Sequence, residues 1–520
     1  MAWHIFRKDL RLLWGAALAV AAIQLVVAAL RARSGLFQEP RQLYTLAIYL
    51  GLVWRAGVVI LCVNLMHQDA VPGDRQDWLI RPIGRGQLIL GKLLFVLFAV
   101  QAPILIVNLF EGLTNGFGFT ASLAAAAARN VSILCFFSIP ALAIGAATRT
   151  LTETFLIVVA GLIASAAIFF SLGILTGQPP PLAATGLTWL LPATWQLVAI
   201  VFGAFVVAIQ FFQRKTILAR CLIGAGFLVV NFAFFLPWPP AFAIQQLLST
   251  EPGASAPIAL TFNPQLGPFV PPPGAAPTPG QGWYLPLRVV GIPTDSIVLM
   301  DHAQIRITDI DGREIYAGTP NLSVDGKSSL QDARFEVRRA ENGPSTQDSY
   351  QRIFVPASVY EKLRDQTVNV SIDYSLTLLH ASAKLTLPTS SAPTQFGTLG
   401  RCATRIDSDG DEVQVSCMNL APSPECFTAF LEHPSSGLRN PETHHCAPDY
   451  SPIHFSMSPT VPSRFAGEAP FFDRSGLTRY PVDGTKLADA RVVIETYEAR
   501  DHFTRKLDIP NVQLSRFAGY

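Results

Sequence analysis

The segment 86–93 comes closest to a catalytic motif. It reads Gly-Gln-Leu-Ile-Leu-Gly-Lys-Leu, which matches the glycine and lysine positions of a phosphate-binding P-loop. In that motif the lysine, here Lys92, reaches the phosphates, and the hydroxyl of a following serine or threonine binds Mg²⁺. Leu93 occupies the hydroxyl position, and the residues before the first glycine lack the pattern of a strand. The segment therefore does not predict a nucleotide-binding site.

A short, densely charged stretch, the charged loop (residues 66–94), contains this segment and lies between two apolar runs. Pro72 and Gly73 predict a turn, and Pro82 ends any helix that follows the turn. The resulting short amphipathic helix carries Trp78, which could bind a partner protein through burial of the indole and surrounding ion pairs. The alternative is that the basic residues contact lipid phosphates and set the orientation. The candidate contact residues are Asp69, Asp77, Trp78, Arg81, Pro82, Arg85 and Lys92.

The charged loop resembles the corresponding loop in the permease subunits of ABC-2 type ABC transporters. In that family an acidic residue and a glycine-containing turn follow the second helix, and the stretch W-L-x-R-P-I-x-R-x-x-L-x-x-x-K comes next. The N-terminal residues 6–11, Phe-Arg-Lys-Asp-Leu-Arg, are similar to the family's cytoplasmic elbow. The resemblance covers about residues 1–220. The matching loop residues are Asp69, Gly73, Trp78, Leu79, Arg81, Pro82, Ile83, Arg85, Leu88 and Lys92.

The resemblance implies a function and a set of partners. In the family this loop docks on a separate ATP-binding subunit and transmits its closure to the helices, so ATP hydrolysis is expected only in that partner. An exporter of this type needs two membrane halves, which implies a homodimer or a heterodimer. The substrate is not implied, because this chain adds a seventh helix and a large C-terminal part to the family's six helices. The alternative function is a non-transporting, membrane-anchored scaffold or sensor whose outer β-rich domain binds a partner.

The composition places the first part of the chain in a lipid bilayer. Hydrophobic residues make up 50% of the 520 residues and charged residues 15%, whereas soluble proteins contain about 25% charged residues. Apolar segments within residues 1–237 approach the ~20 residues that cross ~30 Å of hydrocarbon, and they predict an all-α bundle of about seven transmembrane helices. The net charge of +2 does not indicate nucleic-acid binding. The segments are 12–30, 43–66, 93–110, 131–147, 155–175, 197–212 and 221–236, and the last two, being shortest, could be re-entrant.

Lysines and arginines in the connecting loops predict how this bundle is oriented. They are concentrated at the N-terminus, in the charged loop and in the 213–220 turn, whereas the 111–120 and 176–195 loops contain none. Three arginines after the first apolar segment oppose this distribution. The total number of lysines and arginines on each side still places the N-terminus in the cytoplasm. Seven crossings then place the C-terminal part on the periplasmic or extracellular side of a bacterial plasma (inner) membrane.

Two arginines lie within or beside the apolar segments. Arg55 falls near the middle of the 43–66 segment, where a charge costs about 3 kcal/mol. Either Arg55 faces a transport path or subunit interface, or the helix is shifted so that the side chain reaches polar groups. Arg129 precedes the 131–147 segment, and its long side chain is expected to extend to the outer membrane interface.

The remainder of the chain has a different pattern. Proline and glycine are frequent at 238–287, which predicts an extended linker. Residues 288–520 alternate between apolar and polar types, with turn signals such as Asp311-Gly312, and they predict a mainly β, sandwich-like soluble domain. The clearest predicted strands are 368–379, 383–387, 491–497 and 503–509.

Four cysteines fall close together in this domain. In an oxidising compartment they would form two disulfides, and four reduced thiols are the alternative. A zinc site with the nearby histidines is a less simple explanation, because the spacing of these residues is irregular. We therefore expect no metal, cofactor or catalytic residue in this chain. The candidate disulfide residues are Cys402, Cys417, Cys426 and Cys446.

Overall fold

The computed structural model of this chain consists of an α-helical N-terminal part and a β-rich C-terminal part. It describes residues 1–34, 41–69, 84–176, 190–234, 238–267, 282–318, 336–338, 346–355, 357–396, 400–406, 413–418, 426–434, 438–439, 443–446, 471–472 and 490–518.

Seven helical spans in the N-terminal part are long and apolar enough to cross a membrane, which confirms the seven predicted apolar helices. Polar residues continue several of them beyond the predicted bounds. The span predicted at 93–110 runs over Arg85–Thr114, and its 30 residues are about 45 Å long at ~1.5 Å per residue. The spans are Ala2–Arg33, Thr45–His67, Arg85–Thr114, Phe119–Ala147, Leu151–Ile168, Ala193–Gln213 and Thr216–Ala233.

Three of these spans contain a π-helical turn. Val96–Gln101 joins α3 to α4, Leu134–Ser138 joins α5 to α6, and Ile209–Gln213 extends α8. Such turns interrupt the regular hydrogen-bond ladder and are often found at functional sites. The helices are α1 Ala2–Ser34, α2 Arg41–His67, α3 Arg85–Phe95, α4 Ala102–Thr114, α5 Phe119–Ile133, α6 Ile139–Ala147, α7 Leu151–Thr176, α8 Leu190–Ala208, α9 Thr216–Phe234, α10 Trp238–Leu247 and α11 Ala357–Leu363.

The core of the helical part lies where α1, α2 and α3 pack together, around buried side chains such as Leu65 and Phe95. Close packing of α1 on α3 depends on Gly91. A Cβ atom at Gly91 would lie 2.8 Å from Cγ2 of Ile5 and 3.1 Å from the carbonyl oxygen of Ala2. A larger residue would therefore push the two helices apart.

The helical part has two distinct ends. The loop end holds the first turns of α1, the C-terminus of α2 and the start of α3. The opposite end, the domain end, holds the turn between α4 and α5, where Gly116 has a φ of 80°. At the domain end the guanidinium of Arg401, in β9 (Gly400–Ile406), donates a hydrogen bond to the carbonyl oxygen of Asn115. The β-rich part therefore contacts the helices at the domain end.

Among its described residues, the β-rich part contains three antiparallel sheets. A three-stranded sheet has the order β1-β2-β6, and a four-stranded sheet has the order β14-β10-β9-β8. The largest has the order β12-β11-β15-β7-β3-β4, with β13 also on β11 and β5 also on β3. The strands are β1 Ala259–Phe262, β2 Gly282–Val290, β3 Ser296–Thr308, β4 Glu314–Gly318, β5 Glu336–Arg338, β6 Thr346–Phe354, β7 Thr367–Pro388, β8 Ser391–Phe396, β9 Gly400–Ile406, β10 Val413–Met418, β11 Cys426–His433, β12 Leu438–Arg439, β13 Thr443–Cys446, β14 Phe471–Phe472 and β15 Arg491–Gln513.

Two long strands, β7 and β15, form the spine of the largest sheet and pair from end to end. Each was predicted as two separate strands. In β15 the register shifts between Thr496 and Tyr497 and again between Ala499 and Asp501. Because a one-residue shift moves the following side chains to the other face, the apolar pattern breaks although the strand continues.

One hydrophobic core lies between the three-stranded sheet and the largest sheet. Trp283 and Leu285 of β2 share it with Tyr374 of β7 and Leu507 of β15. These two sheets are therefore layers around a common core, as expected for a mainly β domain.

The segment 238–287, interpreted from its composition as a linker, contributes to the β-rich part where the structure describes it. Trp238 is the first residue of α10, and its indole stacks on the ring of His302 with the ring centroids 4.6 Å apart. The indole N–H also donates a hydrogen bond of 2.8 Å to Oγ of Ser375. Ile258 and Leu260 are buried in the common core, and β1 pairs with β2. Proline and glycine content did not reveal these packed apolar residues.

Candidate functional site

A group of four charged residues, which we call the lysine cluster, lies at the loop end of the helices: Lys8, Asp9, Asp69 and Lys92. The Nζ atom of Lys92 lies 2.9 Å from Oδ2 of Asp9 and 2.6 Å from Oδ2 of Asp69. It also donates a hydrogen bond of 2.9 Å to the carbonyl oxygen of Leu65. The Lys92 side chain is 4% exposed, so its charge is compensated by protein oxygens rather than by water.

Lys8 completes the cluster from the solvent side. Its Nζ atom lies 2.7 Å from Oδ1 of Asp69 and 3.5 Å from Oδ1 of Asp9, and its side chain is 46% exposed. The two lysines balance the two aspartates, so the cluster as a whole carries no net charge. Burial alone would raise the pKa of the Asp69 carboxyl, but the charges and hydrogen bonds of Lys92 and Lys8 outweigh burial and lower it below its ordinary value.

Local sequence explains how each helix places its residue in the cluster. Ile5 and Phe6 bury one face of α1 in the core, and Asp9 follows on the same face within about one turn. Gly91 then lets α3 approach α1. Asp69 comes two residues after α2 ends at His67. The cluster therefore joins three segments of the chain and holds the two sides of the charged loop together.

The predicted site residues are only partly brought together. Asp69 and Lys92 are in direct contact, whereas Arg85 lies at the start of α3 and donates a hydrogen bond to the carbonyl oxygen of Phe212. Lys8 and Asp9 were recognised as part of the N-terminal elbow but not as partners of Lys92. Adjacent opposite charges near an N-terminus give no signal of burial, which depends on how α1 packs. The loop residues outside the described part of the chain are Asp77, Trp78, Arg81 and Pro82.

A second ion pair lies at the same end. Arg220 of α9 contacts Glu153 of α7 at 2.8 Å, and its Nε atom donates a hydrogen bond of 3.1 Å to the carbonyl oxygen of Ala147 at the end of α6. Both side chains are partly exposed, at 42% and 34%. This pair links three further helices but is accessible to water, unlike the lysine cluster.

Arg55 and Arg129 are buried farther from the loop end. Arg55 is 5% exposed, so its side chain faces the protein interior rather than lipid. The expectation that Arg129 extends to the outer interface is wrong. Its Nη1 atom lies 3.2 Å from Oε2 of Glu111 and 3.4 Å from Oδ1 of Asn108, and the residue is buried. The partner on α4 is 18 residues away in sequence, so the pairing could not be predicted from the segment around Arg129.

No protein-family model matches the sequence, and no curated protein matches it.

Proposed function

We propose that this chain is the membrane-spanning permease subunit of an ABC-2 type transporter, an exporter driven by a separate ATP-binding subunit. The proposal depends on one observation. The lysine cluster joins the N-terminal elbow, the end of the second helix and the start of the third helix, which carry the resemblance to the family. The chain contributes the membrane path, and ATP hydrolysis takes place in the partner.

The cluster gives the charged loop a mechanical role. A buried charge left without its partner costs about 3–5 kcal/mol, so the lysine cluster resists separation and α1, α2 and α3 respond together to a force on the loop. A partner that binds the charged loop through Trp78 and Arg81 would move all three helices. A loop held at one side only would bend instead.

Orientation is part of the same proposal. The bundle lies in the bacterial plasma membrane with the loop end in the cytoplasm and the β-rich domain in the periplasm or outside the cell. The distribution of lysine and arginine supports this orientation, as does the contact of Arg401 with the lysine- and arginine-free 111–120 loop. A second permease subunit, identical or related, completes the membrane path.

Co-purification from native membranes tests the proposed partner. The full chain should co-purify with a protein that has intact nucleotide-binding motifs, identified by mass spectrometry. Trp78→Ala and Arg81→Glu should reduce the recovery of that protein severalfold. Lys215→Glu is the matched control, because Lys215 is an exposed cation just before α9 at the same end.

Two results would contradict the proposal. One is recovery of the chain without any nucleotide-binding protein, which would favour the scaffold or sensor. The other is equal recovery of that protein with Trp78→Ala, Arg81→Glu and Lys215→Glu.

The β-rich domain in an oxidising compartment should contain two disulfides, and the strand register supports one connectivity for them. Cys402 lies opposite Cys417 in the pair β9–β10, and Cys426 lies opposite Cys446 in the pair β11–β13. Directly opposed residues of antiparallel strands have Cα atoms about 4.5–5.5 Å apart, within the ~4.4–6.8 Å range of disulfides. Peptide mapping without reduction should therefore recover these two pairs. Other pairings, or four free thiols, would contradict this assignment.

A further inference from the structure

Polar side chains form a stripe on one face of the Arg85–Thr114 span. Gln101, Asn108 and Glu111 are seven and three residues apart, so at ~3.6 residues per turn they point in a similar direction. Each is buried. Ile106, two residues from Asn108, points to the outside of the bundle and is 64% exposed. The polar stripe therefore faces other helices and not lipid.

The two formal charges in this region compensate each other. Arg129 of α5 lies 3.2 Å from Glu111, and it also donates a hydrogen bond of 3.4 Å to Oδ1 of Asn108. Because arginine can only donate, the amide oxygen of Asn108 must face it. The Nδ2 group of Asn108 is left buried, without a hydrogen-bond partner in the described part of the chain.

Two neighbouring amides are oriented in the same way by backbone groups. Nε2 of Gln24 donates to the carbonyl oxygen of Ile104 at 3.5 Å, and Nδ2 of Asn130 donates to that of Gln101 at 3.0 Å. A carbonyl oxygen only accepts, so the amide nitrogens must face these carbonyls. Oε1 of Gln24 and Oδ1 of Asn130 are consequently buried acceptors without a partner among the described residues.

Hydrocarbon cannot satisfy these groups. Each unsatisfied polar group in a bilayer interior costs several kcal/mol. Among the described residues the buried amide groups without a partner here are the acceptors Oε1 of Gln24, Oε1 of Gln101 and Oδ1 of Asn130, and the donor Nδ2 of Asn108, so they require another partner. The π-helical turns Val96–Gln101 and Leu134–Ser138 lie at the end of this polar region that is nearer the loop end. There, Nε2 of Gln101 donates a hydrogen bond of 3.1 Å to Oγ of Ser138. From Thr114 to Gln101 the helix rises about 20 Å, which covers the half of the membrane next to the domain end.

We propose that these side chains form a hydrated site, the outer polar site, which opens toward the domain end and binds water and uncharged hydroxylated solutes. Hydroxyl groups both donate and accept, as the free amide groups require. The Glu111–Arg129 pair leaves no net charge to attract an ion. Polar and ionisable residues inside membrane proteins commonly face water-filled cavities. The inference requires that the bundle spans a membrane, but it does not require an ATP-binding partner.

Thiol accessibility in proteoliposomes tests the outer polar site. In a chain with Cys62, Cys135 and Cys221 replaced by alanine, Asn108→Cys should react with a neutral, hydroxylated methanethiosulfonate reagent at least tenfold faster than Ile106→Cys. These positions differ in depth by only about 3 Å, so depth alone cannot produce the difference. The same chain without an added cysteine is the control, and its reaction rate gives the contribution of the cysteines in the β-rich domain.

A second variant keeps the test independent of the folding of Asn108→Cys. Ser122 is buried, its Oγ has no hydrogen-bond partner among the described residues, and it packs against Gly112. Ser122→Cys exchanges one atom and should react like Asn108→Cys. Rates equal to that of Ile106→Cys in both variants would overturn the hydrated site. Equally fast reaction with charged reagents of similar size would overturn the preference for uncharged solutes.

Discussion

Replacement of Lys92 by methionine should destabilise the helical part more than any change at a surface ion pair. The substitution keeps the approximate length of the side chain and removes the ammonium group, with its charge and its hydrogen bond to the carbonyl oxygen of Leu65. Asp9, which is fully buried, would retain its negative charge with Lys8, at 3.5 Å, as its remaining ion-pair partner among the described residues. Removing one partner of a buried ion pair costs about 3–5 kcal/mol, and we expect a loss of this size.

The assay is unfolding of the purified chain in detergent micelles by sodium dodecyl sulfate, followed by tryptophan fluorescence. The matched control is Arg220→Met, because the half-exposed pair with Glu153 should contribute about 0–1 kcal/mol. A double-mutant cycle isolates the buried pair. Asp9→Asn combined with Lys92→Met should cost less than the sum of the single changes, with a coupling of about 0.5–3 kcal/mol.

A loss below about 1 kcal/mol for Lys92→Met, similar to the value expected for an exposed pair, would refute this reasoning. Additive effects of Asp9→Asn and Lys92→Met would refute it as well. Either result would mean that the aspartates are solvated in the folded protein, and the mechanical role of the lysine cluster would lose its basis.

Two further predictions concern packing and pH. Gly91→Ala should destabilise the chain by about 1–3 kcal/mol through overpacking against Ile5, whereas Gly86→Ala, where a Cβ meets no atom within 4 Å, should be neutral or stabilising in the same unfolding assay. Burial lowers the pKa of His302 and His502 to about 4, against about 6.5 in the unfolded chain. The two neutral histidines should therefore contribute fully to the free energy of unfolding above pH ~6.5. This contribution should decrease as the pH falls toward 4, because the unfolded state binds protons first. Thermal unfolding between pH 8 and 4 measures the decrease, and a His302→Phe variant should lose less stability over this range than the parent.

The sequence predicted the helical part well because its signal is local. Seven long apolar runs need no knowledge of their neighbours, since lipid selects for length and hydrophobicity. The hairpin at Asp311-Gly312 was also predictable, and the structure pairs β3 with β4 across it. The long strands β7 and β15 were divided incorrectly because register shifts interrupt the alternation that identifies a strand.

The candidate site was only half predictable, for a physical reason. Asp69 and Lys92 were identified through their positions in the charged loop, but their contact with Asp9 depends on the closeness of α1 to α3, which Gly91 and Ile5 determine. Arg129 and Glu111 show the same limit, because a pair formed between two helices leaves no trace in the sequence around either residue. An ion pair between two helices depends on how the helices pack, and the spacing of apolar residues within one helix does not predict it.

The Arg85–Thr114 span connects the features on which the proposals depend. Lys92, about two turns from the start of the span, belongs to the lysine cluster. Gln101 and Asn108 belong to the outer polar site, and Asn115, just beyond the end of the span, contacts Arg401. An α-helix is stiff along its axis, so a displacement of the charged loop would be transmitted along α3 as far as its C-terminal end. The π-helical turn Val96–Gln101 lies between the lysine cluster and the outer polar site. Because this turn departs from the regular ladder, we expect it to be where the span bends, so that movement of the loop end changes the width of the outer polar site.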